Sequence, residues 1–257
     1  MSKLLGKRAL VTAGAQGIGL AISRQLLAAG CDVFVHYRSS GAAAAALEGE
    51  ARAMGRRCGS AAADLTGTPA AERLVASAVD FLGGLDLLIN NAGSLVARRS
   101  LAEADDAFWT EVIELNVGSL RRVTRAALPH LATAAATRGG ASIVNLSSLA
   151  GRKGGHAGSL VYSTAKGAVL TFTRSLAAEV GPQGIRVNAL APGLILGTSF
   201  HNTHTTPESA RATVAGIPLG RAGTADDVAR AAVYLASEFD GFITGATLDI
   251  NGGVYAC

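Results

Sequence analysis

The residues of this chain best placed to do chemistry are Tyr162 and Lys166, in the run Tyr162-Ser163-Thr164-Ala165-Lys166. The run opens a helical stretch that continues through Phe172 to Val180. Residues four apart share one helix face, so phenol and ammonium are expected to point into the same cleft. A free phenol has a pKa near 10, too high for efficient proton exchange at neutral pH, and a neighbouring ammonium is expected to lower it by stabilising the phenolate. Such a tyrosine acts as a general acid or base towards an oxygen. With four tyrosines and four lysines in 257 residues, the spacing arises by accident about one time in sixteen. A surface helix with an ordinary aromatic and a solvated lysine has the same spelling.

Upstream, Ser142 to Leu146 reads as a strand that ends in Ser147-Ser148-Leu149-Ala150-Gly151. In open α/β folds, ligands bind at the carboxyl ends of parallel strands, so Ser148 is placed to polarise a substrate oxygen as a hydrogen-bond donor. The commoner use of a serine there is to cap a turn or helix.

A second cluster lies near the amino terminus. Directly after the first strand come Thr12-Ala13-Gly14-Ala15-Gln16-Gly17-Ile18-Gly19, entering a helical stretch. Glycines here let the chain turn tightly and bring backbone N–H groups and a helix N-terminus against a pyrophosphate. An ordinary strand-to-helix turn is the competing reading. In a dinucleotide site the end of the second strand meets the adenosine ribose, where an acid favours NAD and a base favours the 2′-phosphate of NADP. This strand ends His36-Tyr37-Arg38-Ser39-Ser40 with no carboxylate. Arg38 and Ser39 therefore point to NADP(H), with NAD(H) the alternative, although a lone arginine is also a common solvated loop cation. A cationic nicotinamide would add to the field stabilising a Tyr162 phenolate.

These clusters need a scaffold, and short apolar runs alternate with longer helical stretches along the whole chain. Strands are expected at Arg8 to Thr12, Asp32 to Tyr37, Arg57 to Ala62, Leu85 to Ile89, Ser142 to Leu146, Arg186 to Leu190 and Thr247 to Ile250. Helical segments, beginning with Ile18 to Ala29, separate most of them. Right-handed crossovers of this kind build a parallel sheet covered on both faces. The expectation is an α/β protein, a Rossmann-type doubly wound parallel sheet in three αβα layers, as a single domain spanning residues 1–257. The least regular part, Pro192 to Pro218, carries His201 and His204 and is longer than ordinary connections, which makes it a candidate substrate lid.

The bulk properties narrow the field. The chain is 49% hydrophobic and only 5% aromatic, ample for a buried core and unlike an aromatic-rich β-sandwich. Its net charge of +4 is scattered, with no basic run suited to nucleic acid. Cys31, Cys58 and Cys257 lack zinc-site or disulfide spacing and read as reduced or buried thiols. His201 and His204 have no third ligand nearby, so no metal is expected. With neither a signal peptide nor a spanning stretch in view, the expectation is a cytoplasmic protein without membrane or nucleic-acid partners.

Taken together, these residues resemble the short-chain dehydrogenase/reductase family over essentially the full chain, most nearly 3-oxoacyl-(acyl-carrier-protein) reductases and bacterial sugar or uronate reductases. Besides Tyr-x-x-x-Lys and the glycine-rich turn, the resemblance is carried by Asn90-Asn91-Ala92-Gly93, by Asn116 in Leu115-Asn116-Val117, and by Pro192-Gly193. It implies a catalytic tetrad of Asn116, Ser148, Tyr162 and Lys166, in which Lys166 also holds the nicotinamide ribose and Asn116 a relay water. It further implies cofactor contacts from Gly14, Gln16, Gly17, Ile18 and Gly19, from Tyr37, Arg38 and Ser39, and from Asp64 and Leu65 at the adenine. Asn91, Ala92 and Gly93 would follow the ribose, and Pro192, Gly193 and Ile195 would meet the nicotinamide amide. A small carbonyl or alcohol substrate and a homotetramer are implied as well.

Three departures stand out from the family pattern. Ala13 occupies the place usually held by glycine, Tyr162 lies one residue further from Ser148 than in many members, and the segment from Pro192-Gly193 to Thr198 is one residue longer than usual. The expected activity is NADPH-dependent reduction of a ketone to a secondary alcohol, as in 3-oxoacyl-thioester reductases. A sugar or keto-uronate reductase competes, with Arg98, Arg99, Arg152 and Lys153 available to hold a carboxylate. The blocks Leu95 to Arg99 and Gly241 to Gly245 also look like those of bacterial reductases acting on alginate-derived keto-uronates. A non-catalytic dinucleotide-binding sensor is the alternative from another class.

Overall fold

Leu87-Leu88-Ile89-Asn90 is buried at every position, and so is Ala141 to Leu146. Continuous burial without alternation marks central strands of a sheet covered on both faces. The computed structural model describes residues 4–237 and 241–256. Seven strands, β1 (Arg8–Val11), β2 (Asp32–Tyr37), β3 (Cys58–Ala62), β4 (Leu87–Asn90), β5 (Ala141–Leu146), β6 (Ile185–Pro192) and β7 (Thr247–Ile250), form one parallel sheet in the order β3-β2-β1-β4-β5-β6-β7. All seven lie where the sequence predicts them, with ends shifted by one or two residues.

Helices α1 (Gly17–Ala28), α2 (Gly41–Ala53), α3 (Thr68–Leu82), α4 (Asp106–Ile113), α5 (Ser119–Arg138), α6 (Leu149–Lys153), α7 (Leu160–Val180), α8 (Ser199–His204), α9 (Pro207–Ala215) and α10 (Ala225–Ala236) connect the strands. Two apolar clusters divide them between the faces. Ile22, Leu26 and Leu27 of α1, Ala44 and Leu47 of α2, and Val228, Ala232 and Leu235 of α10 cover one face with Val11, Val33 and Ile89. Leu74 and Ala78 of α3, Val123 and Leu131 of α5, and Leu176 and Val180 of α7 cover the other with Leu10, Leu88 and Ile143. Near 25 cal/mol per Å² of apolar surface removed from water, these clusters dominate the favourable side of folding. The three-layer expectation therefore holds.

The strand order reverses between β1 and β4, so the connections that follow these two strands part and leave a crevice at their carboxyl ends. A polar ladder crosses the sheet beside it. Asn90 and Asn145 are register partners on β4 and β5, and Asn90 Nδ2 donates to both Asn145 Oδ1 and Thr124 Oγ1 at 2.9 Å. Asn145 Nδ2 donates to Thr173 Oγ1 at 3.0 Å, carrying the ladder from α5 through two strands to α7.

One expectation changes and another holds. The segment from Pro192 to Pro218 is not irregular: it holds α8, capped by Thr198, and α9, capped by Thr206 with Pro207 in its first turn. Cys31 is fully buried and Cys58 half-buried, burial pushing both thiols up to about 12, whereas Cys257 lies outside the described residues. Among the described residues no helix is long and apolar enough to cross a membrane.

Candidate active site

The turn after β1 is built to bring backbone close to backbone. A Cβ on Gly14 would lie 2.9 Å from both Val11 O and Val35 Cγ1, and one on Gly19 would lie 2.5 Å from Asn91 Nδ2. These two glycines stand behind the cleft wall and serve packing. Gln16, Gly17 and Ile18 reach the wall itself, with Gly17 at φ +51°. Gln16 is the extended residue before α1 and offers no side-chain cap, its Oε1 accepting instead from Ser40 Oγ at 3.0 Å. The first amides of α1 are thus left facing the crevice, which suits an anion. Ala13, where the family usually has glycine, is held at φ +48°, the left-handed conformation that alanine resists.

Thr12 ties this turn to the one after β4. Its Oγ1 accepts from Asn91 N at 2.9 Å and from Ala92 N at 3.0 Å, while Asn91 Nδ2 donates to Thr12 O at 3.1 Å and Ala13 O at 3.2 Å. Asn91, Ala92 and Gly93 line the cleft. Gly93 admits no side chain, because a Cβ would stand 2.5 Å from Asn116 Oδ1 and 3.0 Å from Lys166 Nζ.

Asn116 sits in a π-turn, Glu114–Gly118, between α4 and α5. Its Nδ2 donates to Val112 O at 2.9 Å and to Ser94 O at 2.8 Å. The side chain thereby enters the helical ladder, a recognised cause of such a bulge. Asn116 Oδ1 is buried without a partner, an acceptor open to a water.

Ser148 follows β5 and caps α6, its Oγ accepting from Ala150 N at 3.1 Å. The same hydroxyl acts on the Tyr162 phenol, and both residues line the cleft, so the capping and catalytic readings of Ser148 coexist. Tyr162 and Lys166 lie in α7, and Lys166 Nζ stands 5.7 Å from the Tyr162 ring centroid while donating to Leu146 O at 2.8 Å. The expected lowering of Tyr162 does not occur in the protein alone. Burial raises the phenol to about 12 against the Ser148 hydrogen bond, and burial lowers Lys166 to about 8. Desolvation is the largest influence on each group, and neither counts among the causes of the other's shift. Between Ser148 and Tyr162 the loop after α6 turns on Gly154 and Gly158, both at positive φ.

One cleft of about 570 Å³ joins these parts. One end carries Tyr37, Arg38, Ser39, Asp64 and Leu65, and the other carries Ser148, Tyr162, Lys166, Pro192, Gly193 and Ile195. Arg38 and Ser39 are exposed there. The Asp64 carboxyl is held below its usual range, first by Thr66 hydrogen bonds and also by the Arg38 charge. Phe200, His201, Thr203 and His204, in and around α8, form the outer wall, Phe200 lying 5.7 Å from the Tyr162 ring.

Of the cations expected to hold a carboxylate, Arg98 stays at the cleft edge, its charge acting on His201 and His204, while Arg99 and Arg152 are engaged elsewhere. Arg98 donates to Ala157 O and His204 O at 3.2 Å, Arg99 lies over the Phe108 ring, and Arg152 pairs with Asp249 at 3.0 Å. Lys153 is exposed away from the cleft wall. Sequence reasoning also missed Thr12, His36 and Ser147, whose Oγ donates to Lys166 O at 2.7 Å. A threonine, a histidine and a serine at strand ends carry no signal of spacing by themselves.

A family model described as Enoyl-(Acyl carrier protein) reductase matches residues 12–255. The 3-oxoacyl-(acyl-carrier-protein) reductase FabG of Vibrio harveyi is 36% identical over 98% of this chain and 98% of its own. The chain belongs to the short-chain dehydrogenase/reductase family. This short-chain dehydrogenase/reductase is an NAD(P)-dependent oxidoreductase. Among solved structures it is similar to NADH-dependent reductase A1-R′, responsible for alginate metabolism, with a TM-score of 0.91 and 35% identity over 100% of both chains. It is also similar to a short-chain dehydrogenase of Burkholderia cenocepacia in complex with NADP, with a TM-score of 0.90 and 32% identity over 99% of this chain and 100% of that one.

Proposed function

We propose that this reductase converts a ketone to a secondary alcohol with NADPH in preference to NADH, Tyr162 giving the proton. The observation that carries the reading is that Ser148, Tyr162 and Lys166 line one end of a cleft whose other end presents Arg38 and Ser39. Two hydroxyls converging on one point suit a carbonyl oxygen better than a carbon–carbon double bond, which accepts no such pair. A phenol raised to about 12 rests protonated at neutral pH, and an alkoxide is basic enough to take that proton. The resting state therefore holds the proton that reduction consumes.

The residues fit a dinucleotide: glycine cradles that a Cβ would fill, uncapped amides at α1, and a cation beside the ribose end of β2. Gln16, Gly17 and Ile18 would hold the pyrophosphate, Arg38 and Ser39 the 2′-phosphate with Tyr37 beside them, and Asp64 with Leu65 the adenine. Asn91, Ala92, Gly93 and Lys166 would hold the ribose of the reactive half, and Pro192, Gly193 and Ile195 its amide. Gly14 and Gly19 shape the turn from behind. The bound coenzyme supplies the hydride. Ser148 orients the substrate oxygen, and Asn116 Oδ1 anchors a water through which Tyr162 is reprotonated.

The polar outer wall of His201, Thr203 and His204 favours a second reading of the substrate, a hydroxylated keto-sugar in place of a 3-oxoacyl thioester. Arg99 and Arg152 are engaged elsewhere, which leaves Arg98 at the cleft edge as the cation a uronate would need. The same proposal makes the enzyme a homotetramer, supported by the exposed apolar side chains of Tyr234, Phe242 and Leu248 on or near α10 and β7 and checked by light scattering.

The deciding assay follows NADPH and NADH oxidation over 3-oxoacyl thioesters, diketones, keto-sugars and keto-uronates, with Tyr162→Phe and Arg38→Asp alongside. Turnover lost in Tyr162→Phe and a coenzyme preference moved towards NADH in Arg38→Asp are expected. Preference unchanged in Arg38→Asp refutes the NADPH assignment, and tight coenzyme binding without turnover on any carbonyl favours a sensor.

A further inference from the structure

His36, the penultimate residue of β2, is 4% exposed beneath the glycine-rich turn. Both ring nitrogens have partners: Ala13 N–H donates to Nδ1 at 3.0 Å, and Nε2 lies 3.0 Å from Ala63 O. A backbone N–H can only donate, so Nδ1 is bare and the proton sits on Nε2, which donates to Ala63. The carbonyl of the same residue accepts the next amide, Gly14 N–H, at 2.9 Å. Two consecutive amides of the turn therefore end on one residue of the neighbouring strand. The first belongs to Ala13, held at φ +48° where an L side chain is disfavoured.

We propose that His36 is a positioning residue for the dinucleotide, its neutral imidazole clamping Ala13 in the left-handed turn and so aiming the amides of Gln16, Gly17 and Ile18. The inference rests on the reading of the cleft as an NADP(H) site. It reconciles an alanine at this position with a working phosphate turn: the conformation that glycine adopts freely is imposed on Ala13 by a side-chain acceptor. It also sets an acid limit. Protonation of Nδ1 turns acceptor into donor, opposing two N–H groups across 3.0 Å. Burial holds the imidazole below its ordinary pKa, opposed by the Ala63 carbonyl and the Asp64 carboxylate. Asp64, which follows β3, is the charged group acting on the ring, and none acts on it from β1, α1 or the turn. Coenzyme affinity is thus constant near neutrality and falls below the usual histidine range.

Asparagine and glutamine divide the two ring functions. In His36→Asn the side-chain oxygen replaces Nδ1 as the acceptor for Ala13. In His36→Gln the amide nitrogen replaces Nε2 as the donor to Ala63, and the acceptor is lost. Calorimetric titration with NADP⁺ from about pH 7.5 to about pH 5 compares them. His36→Asn is expected to bind within about threefold of the wild type and to lose the acid fall of the wild type. His36→Gln is expected to bind about tenfold more weakly at neutral pH, with most of the loss restored by adding Ala13→Gly. The ligand's own titration is common to all variants and cancels in the ratios. Equal weakening in Asn and Gln, no rescue by Ala13→Gly, or an acid fall that survives in His36→Asn would each overturn the proposal. If the wild type binds neither dinucleotide, the cofactor reading fails instead. Imidazole ¹⁵N shifts of the coenzyme-free protein then decide the clamp separately, with a proton on Nδ1 counting against it.

Discussion

Replacing Lys166 with methionine is expected to raise stability at neutral pH while removing turnover. Lys166 is 4% exposed, and burial lowers it from 10.5 to about 8. At 1.36 kcal/mol per unit, keeping it charged in the fold costs about 3 kcal/mol at pH 7. Against this stands the bond from Nζ to Leu146 O at 2.8 Å. A charge-assisted hydrogen bond is worth about 1.5–3 kcal/mol. The methionine variant should thus gain about 1 kcal/mol, or roughly 2–4 °C in melting temperature for a chain of this size.

The pH dependence fixes the sign. Between the folded pKa of about 8 and the unfolded 10.5, the unfolded chain binds the extra proton, so wild-type stability rises with pH across that window. By about pH 10 the wild type recovers roughly 2–3 kcal/mol, and the order of stability inverts. Urea titrations of both proteins at the two pH values, run beside a reductase assay, test this. A stability difference that does not change with pH, or a methionine variant already weaker at neutral pH, would refute the reasoning.

Other substitutions probe other parts. Gly93→Ala places a Cβ 2.5 Å from Asn116 Oδ1 and 3.0 Å from Lys166 Nζ; kcat should fall at least about tenfold with a stability loss of about 1–3 kcal/mol, and unchanged kinetics would count against this packing. Asp86 is fully buried between Arg8 at 2.8 Å and Arg138 at 2.9 Å. Although burial opposes it, the two cations hold its carboxyl below the usual range. Asp86→Asn should therefore cost about 3–5 kcal/mol at neutral pH, a deficit that shrinks as pH falls through the lowered pKa and the wild type loses the same charge. Arg98→Ala frees the carbonyls of Ala157 and His204; KM for the carbonyl substrate should rise severalfold while dinucleotide Kd, followed by fluorescence, stays constant.

Much of this was legible in the sequence. Strands buried on both faces spell continuous apolar runs, and the Tyr162–Lys166 spacing fixes a shared helix face whatever else surrounds it. Less legible was the direction of the Tyr162 shift, because desolvation depends on everything packed around a group and spacing reports only its neighbours in the chain. Arg152 failed for a related reason: it finds its partner 97 residues away. The lid segment looked irregular because its helices, α8 and α9, are too short for their periodicity to register.

The Asn90–Asn145 ladder has a consequence for how the sheet assembles. Sliding β5 along β4 by a single position would turn the two amides to opposite faces and strand Thr124 and Thr173 as well. Each buried polar group left alone forfeits about 1–3 kcal/mol, so a mispaired sheet would lose a sizeable part of the roughly 5–15 kcal/mol that holds a domain together. Uniform apolar strands offer no such check, since one leucine packs much like the next. The asparagines thus proofread the alignment of the two central strands. Because Asn91 follows Asn90 directly and Ser148 follows Asn145 by three residues, the same check fixes how the turn after β4 and the loop after β5 stand relative to one another before any ligand arrives.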